Sequence, residues 1–537
     1  MKRHTPFAVG LAALAAVPAG AQQTTQAPVQ GPAPITAWNT TNPVLRRIWD
    51  EGTQHSQLER LAQALSDSVG PRLTASPGMK AGSDWLLAQY RAWGIPARTE
   101  TYGTFRSWRR GISHVDLVSP RVRSLEGTML AWSPGTHGPV QAGVVVMPRF
   151  ASAAEMEAWL PGVRGKYVLA SIPLFTCRPL SEWKEFATPD SYAAAEARLT
   201  EAGRAQALRL QAVGLTGRDL PKRLEDAGAV GVLTSYPSGG WGVDRIFNAF
   251  TRKVPTFDLS CEDYGLVYRM AERGQNPVIR ADAQAEELGE VPVFNTLAEI
   301  RGREKPNEYV ILSAHFDSWD GASGATDNGT GTITMMEAVR ILRMMYPNPR
   351  RTILVGHWSG EEQGLNGSRA FVKDHPQVVN GLQVLLNQDN GTGRVTSISM
   401  QGFTGVSPVV SRWLGQLPQE LTGEIKLDDP GIPSQGGSDY ASFVCAAVPA
   451  LGLSSLGWDY GTYTWHTNRD TYDKIVFDDV RKNAVLTAML AYLASEEPQL
   501  LPRDRRTAFP MNPNTGQPYV WPTCQDASRT TADSPRM

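Results

Sequence analysis

The sequence predicts an α/β fold: a mixed, mostly parallel central sheet flanked by helices, with a β-rich insertion. Three observations predict it. A continuously apolar segment at residues 309–314 is followed by further buried-strand candidates at 352–358 and 382–386, and a helical pattern at 331–345, stopped by Pro347, separates the first two. Parallel strands covered by helices on both faces read as unbroken apolar runs, and strands alternating with helices imply such a layer. The third observation is a change of texture. From about Val118 to Leu288, short β-like runs at 140–147, 165–172, 228–233 and 254–259 alternate with long loops.

The elements follow in chain order. Lys2, Arg3 and His4 precede an apolar run at 7–17 and the small-residue site Ala19-Gly20-Ala21. This reads as a secretory signal peptide, residues 1–21, cut after Ala21, with export to a periplasm or the extracellular space. The run is too short to span a bilayer, and no other long uncharged stretch supports stable membrane insertion. Residues 22–43, rich in Gln, Thr, Pro and Ala, read as a flexible leader. Helical patterns follow at 58–65 and 82–93, the second ending at Gly94-Ile95-Pro96. Residues 44–117 and 289–500 are assigned to the main domain and 118–288 to the insertion, whose segment 182–226 is helical and charged. Further strand candidates lie at 398–401 and 450–453. Residues 501–537 read as an irregular tail, in which Tyr519 and Trp521 could dock.

Composition narrows the function classes. The chain of 537 residues is 41% hydrophobic and 20% charged, enough for a buried core and against wholesale disorder. Lys and Arg number 52 against 53 Asp and Glu, so no basic excess exists to attract nucleic acid or an anionic membrane. Cys177, Cys261, Cys445 and Cys524 fit no zinc ribbon or C-x-x-C pair. Export permits disulfides, but spacing leaves all three pairings, and four free thiols, open.

The chemistry-bearing residues cluster at strand exits. His315-Phe316-Asp317 ends the first apolar run and leads into Gly324-Ala325-Thr326-Asp327-Asn328-Gly329. Gly360-Glu361-Glu362 follows the second run and Asn387-Gln388-Asp389 the third. Trp465-His466-Thr467-Asn468-Arg469-Asp470-Thr471 returns a second imidazole. In parallel sheets, sites form outside the carboxyl ends of the strands. The donors are oxygen and nitrogen without thiolate, which suits hydrolytic zinc, with Mn or Co as lesser candidates. A two-metal hydrolase needs a bridging carboxylate, one imidazole and one carboxylate per metal, and an unligated base. His315, Asp327, Glu362, Asp389 and His466 meet the first needs and Glu361 the last. Asp317 lies within reach of the second ring nitrogen of His315 and could fix its tautomer. His357, inside a strand pattern, reads as a packed core histidine. The glycine-rich 324–331 segment lacks the Lys of a phosphate loop. No H-E-x-x-H or G-x-S-x-G occurs.

The pattern H-x-D, G-A-x-D-N-G-x-G, G-E-E-x-G, N-x-D and H-T-x-x-D-T resembles the M28 family of co-catalytic zinc peptidases over residues 55–495. The Asp317-Ser318-Trp319-Asp320 run looks most like its carboxypeptidase Q branch. The resemblance implies the zinc-peptidase α/β/α sandwich and two Zn2+ per chain. Asp327 would bridge, His315 and Asp389 would complete one metal, and Glu362 and His466 the other. Glu361 would be the general base and Asp317 would orient His315. Residues 118–288, with Val163-Arg164-Gly165-Lys166 and Asp226-Ala227-Gly228, are similar to the protease-associated domain of such enzymes. Where many relatives carry an oxyanion-stabilising Tyr, this chain has Trp465; Tyr440, Tyr460 and Tyr463 are other donors. Gly436-Gly437-Ser438-Asp439 reads as pocket wall. The expected activity is a metallo-exopeptidase acting on the N-terminal bond of peptides or dipeptides. The alternatives are a dipeptidase or carboxypeptidase, a glutaminyl-cyclase-like amide-processing enzyme, and a catalytically silent binding protein. Sequence sets neither side-chain preference nor oligomeric state.

Overall fold

The strand Lys305–His315 lies at the centre of the fold. In the computed structural model, which describes residue 38 and residues 40–533, Arg351–Trp358 and Leu382–Asn387 flank it, both parallel to it. Ala450–Ser455 pairs parallel to Leu382–Asn387. Antiparallel strands follow on both sides, Val395–Ser399 beside Ala450–Ser455 and Val278–Ile300 beside Arg351–Trp358, and Lys426–Asp428 lies parallel beyond Val395–Ser399. The central sheet is therefore mixed with a parallel core, as the apolar runs predict. Ile311, Leu354 and Leu385 share one face with Phe371, Val378 and Phe443 from the helices beneath. Alternate residues face Thr330–Met345 and Phe477–Glu496. Residues 1–21 and most of 22–43, read as signal peptide and leader, lie outside the described residues, although Asn42 caps the helix Pro43–Gln54 through its side chain.

Two strands of 23 residues, Ala97–Ser119 and Val278–Ile300, escape sequence reading. They pair antiparallel from Ala97 opposite Ala298 to Ser119 opposite Val278, with four register irregularities. Their polar faces meet solvent, so neither shows an apolar run. This ribbon leads from the central sheet to a smaller parallel set, Val140–Val146, Tyr167–Leu169, Gly231–Thr234 and Thr256–Leu259. Val140–Val146 joins that set to Val278–Ile300, and all 14 strands form one continuous sheet. The helical segment read at 182–226 is Leu180–Phe186, Pro189–Ala212 and Asp219–Asp226.

Of the cysteine arrangements that sequence left open, the structure has Cys177–Cys261 and Cys445–Cys524. The second bond fastens the tail, whose described residues form no helix and only isolated bridges. Trp521 packs edge-on against Phe403 with ring centroids 5.2 Å apart. Beyond it the tail crosses the molecule. Ser528 N donates to Asn366 Oδ1 at 2.9 Å and Thr104 N to Arg529 O at 2.8 Å.

Candidate metal centre

Three adjacent parallel strands bring the donors together because parallel strands end on one edge of the sheet. His315 is the last residue of its strand, Glu361 and Glu362 lie in the turn after Trp358, and Asp389 follows Asn387. Asp327 comes from the loop between the central strand and the helix Thr330–Met345. His466 reaches the same point from the loop after Ala450–Ser455.

The geometry divides these residues into two sets that share Asp327. His315 Nε2 lies 3.3 Å from both Asp389 Oδ1 and Asp327 Oδ1. His466 Nε2 lies 3.1 Å from Asp327 Oδ2 and 2.9 Å from Glu362 Oε2. Each oxygen of Asp327 thus faces a different imidazole. Within each set the donor atoms lie no more than 4.8 Å apart. Nitrogen and oxygen donors in such a cluster fit a zinc-type divalent cation.

Electrostatics points the same way. Burial works against charge on His466, but the Glu362 carboxylate and the hydrogen bonds to Asp327 and Glu362 outweigh it and push the imidazole up to about 10. For His315 burial is likewise overcome, by the Asp389 and Glu361 carboxylates, and its pKa rises well above the ordinary value. Burial, with Asp327 repelling and His466 opposing, raises Glu362 to about 7. Each imidazole proton supplies positive charge that a divalent cation would replace, since ligand histidines bind metal in the neutral form.

The turn carrying Glu361 and Glu362 is fixed by Asp317. Its carboxylate accepts from Glu361 N at 3.1 Å, Glu362 N at 3.3 Å and Thr74 Oγ1 at 3.1 Å. His315 Nδ1 lies 2.9 Å from the backbone oxygen of Asp317 and 3.8 Å from its carboxylate. Asp317 therefore meets His315 through its main chain and the glutamates through its side chain.

A cavity of about 500 Å³ opens onto Asp327, Glu361, Glu362, Asp389 and His466. Tyr460 and Trp465 line it, whereas Tyr440 and Tyr463 are not among its lining residues. Gly436 and Gly437 form part of the wall, and Asp439 makes no side-chain cap to the helix Tyr440–Val444. His357 is buried away from the cluster, 2.6 Å from the Tyr90 hydroxyl, and burial lowers it to about 3.

Several supporting residues were not singled out from sequence. Arg72 is fully buried and donates to the carbonyls of Gly70, Phe316, Ser323 and Gly324 at 2.7–2.9 Å. It braces the chain between His315 and Asp327. Asp470, quoted in the motif without a role, accepts from Thr326 N at 2.7 Å and Asp327 N at 2.9 Å. Ile246 N donates to His466 O at 2.9 Å, and the Arg245 guanidinium bonds the carbonyls of Trp465 and Gly461. The motif around Asp470 was a signal for that residue; nothing local marks Arg72 or Arg245.

Residues 295–491 match the model of peptidase family M28. The chain is 26% identical over 451 residues to carboxypeptidase Q of Rattus norvegicus, covering 84% of this chain and 87% of that protein. Against carboxypeptidase Q of Homo sapiens the figures are 24% over 452 residues, 84% and 87%. The fold is that of the peptidase M28 precursor from Shewanella amazonensis SB2B, with a TM-score of 0.62, 23% identity, and coverage of 88% of this chain and 98% of that one. It is shared with BSAP, a zinc aminopeptidase from Bacillus subtilis, at a TM-score of 0.53, 17% identity, and coverage of 83% and 96%.

Proposed function

From the premise that this chain carries a peptidase family M28 domain and is an M28-type metallo-exopeptidase, we propose that it is an exported di-zinc enzyme hydrolysing the N-terminal bond of peptides or dipeptides. The observation that carries this reading is the pair of donor sets joined through Asp327, with Glu361 at the same cavity. His315 and Asp389 with one Asp327 oxygen, and His466 and Glu362 with the other, would hold the ions. Bound there, zinc would acidify a water and polarise the scissile carbonyl. Glu361 takes the proton of the attacking water and passes it to the departing amine. Burial, reinforced by Asp389 and Glu362 against the opposing charge of His315, raises its pKa, which strengthens it as a base. Asp317 holds the Glu361 and Glu362 amides and so aims both side chains. No side chain forms a covalent intermediate. The chain of residues 118–288 reads as a protease-associated insertion, consistent with Arg245 and Ile246 bracing the His466 loop. Residues 1–21 read as the export signal, and two disulfides suit an oxidising compartment.

The test is mass spectrometry of products from zinc-loaded enzyme given a dipeptide, a hexapeptide and that hexapeptide N-acetylated. Stepwise loss from the free hexapeptide, blocked by acetylation, is the expected result. In the companion variant, Glu361→Gln, turnover should fall by about 10²-fold or more with two zinc ions retained. Retained turnover would remove Glu361 from the base role.

A second reading, a dipeptidase or carboxypeptidase, has its own observation. Arg369 is the permanent cation among the described residues lining the cavity, and a guanidinium is suited to a substrate carboxylate. Cleavage of a dipeptide but not of its C-terminal amide, with the preference lost in Arg369→Gln, would favour it.

A further inference from the structure

The tail reaches the wall of the metal cavity. Gln525 lines that cavity, one residue beyond Cys524, which is bonded to Cys445. Residues 522–526 also line a second cavity of about 260 Å³, and the two cavities share Leu365, Arg369, Gln435 and Gln525 in their walls. The tail segment therefore stands between the catalytic cavity and further space along the surface. It is fastened on both sides. Before the bond, Gln435 Nε2 donates to Val520 O at 2.8 Å. After it, Lys373 pairs with Asp526 at 2.6 Å and Arg529 with Asp374 at 2.7 Å. The family match ends at residue 491, so this strap lies outside the matched peptidase region.

We propose that residues 521–529 form a disulfide-fastened strap that closes the metal cavity beside Arg369 and Gln435 and so sets the length of peptide the enzyme accepts. The proposal rests on the peptidase reading above and adds the element that makes long substrates slower than short ones. A cavity of about 500 Å³ falls in the lower half of the range of ligand sites, about 300–1,000 Å³. Displacing the strap joins it to the neighbouring space and gives a longer peptide an exit path. The disulfide matters because the ion pairs at Asp526 and Asp374 lie at the surface, where such pairs hold weakly.

The experiment compares kcat/KM for a dipeptide and an octapeptide sharing the same N-terminal residue, in the zinc-loaded full chain and in Cys445→Ser/Cys524→Ser. Limited proteolysis reports release of the strap independently of activity. Wild type should favour the dipeptide by about 100-fold. The double variant should be cut within residues 521–533, narrow that ratio at least tenfold, and hydrolyse the dipeptide within about threefold of wild type. Gln525→Trp, which leaves the bond intact, should slow a tripeptide more than a dipeptide. An unchanged length ratio with the strap shown to be released overturns the proposal. So does an equal loss on both substrates, which would mean the tail only stabilises the fold, or equal hydrolysis of both by wild type. Wild-type enzyme inactive on every peptide overturns the peptidase reading, and the strap proposal with it.

Discussion

Replacing Arg72 with methionine keeps most of the side-chain volume and removes every donor. In the native protein, Nε reaches Phe316 O at 2.8 Å, Nη1 reaches Gly70 O at 2.9 Å and Ser323 O at 2.7 Å, and Nη2 reaches Gly324 O at 2.9 Å. Burial lowers the guanidinium to about 10, with Asp470, Asp317 and Asp327 opposing, so it stays charged at neutral pH. A buried acceptor left without a partner costs about 1–3 kcal/mol. Four such losses are not additive, because the loop relaxes and water enters. Breaking a buried charge arrangement typically costs about 3–5 kcal/mol, and that is the expected destabilisation. The loop between His315 and Asp327 should also loosen, weakening zinc binding by about 10–100-fold, as for other groups that orient metal ligands. Urea unfolding of the metal-free protein reads the first effect and chelator competition the second. Arg72→Lys should fall between wild type and Arg72→Met, since an ammonium cannot reproduce the fork. A loss below about 1 kcal/mol with unchanged zinc affinity would refute the claim that Arg72 braces the site.

Tyr460 lines the cavity, and burial, with the repulsion of Asp327 and Asp389, keeps its hydroxyl protonated. If it donates to the developing oxyanion, Tyr460→Phe should lower kcat by about 10²-fold with little change in KM; an unaffected kcat would pass the role to Trp465. Asp470→Ala should reduce zinc affinity by about 10–100-fold through release of the Asp327 amide, read by chelator competition; unchanged affinity would make Asp470 a bystander. Burial, with Asp258 repelling, raises Asp244 to about 8, whereas an unfolded Asp titrates near 3.9. Between about pH 4 and 8 the folded state therefore holds a proton that the unfolded state has lost, so this group lowers stability as pH rises across that window. Asp244→Asn should flatten the fall, and parallel melting curves of the two proteins from pH 5 to 9 would count against it.

How much was legible follows from where the partners of each residue lie. The strands Lys305–His315, Arg351–Trp358 and Leu382–Asn387 were readable because helices cover both faces and leave unbroken apolar runs. The candidate site was legible from them, since His315, Glu361, Glu362 and Asp389 sit at or just beyond strand ends and Asp327 and His466 in loops that follow. The strand read at 398–401 lies instead at Val395–Ser399, between Ala450–Ser455 and Lys426–Asp428, where Thr396, Ser397 and Ser399 break the apolar run. The long ribbon stayed hidden because its pairing partner lies more than 150 residues away and its outer face is polar.

The sequence by itself determined the α/β layer, the residues offered to a metal and the order in which strands deliver them, because these rest on local periodicity and on short motifs. The tertiary structure alone decided that Asp327 faces both imidazoles, that Asp317 grips the glutamate amides with its side chain, that Arg72 and Arg245 bond the carbonyls of the loops after His315 and before His466, and that Gln525 of the tail lines the cavity. Those outcomes depend on atoms brought together from distant parts of the chain, whose contacts leave no periodic trace in the sequence around them.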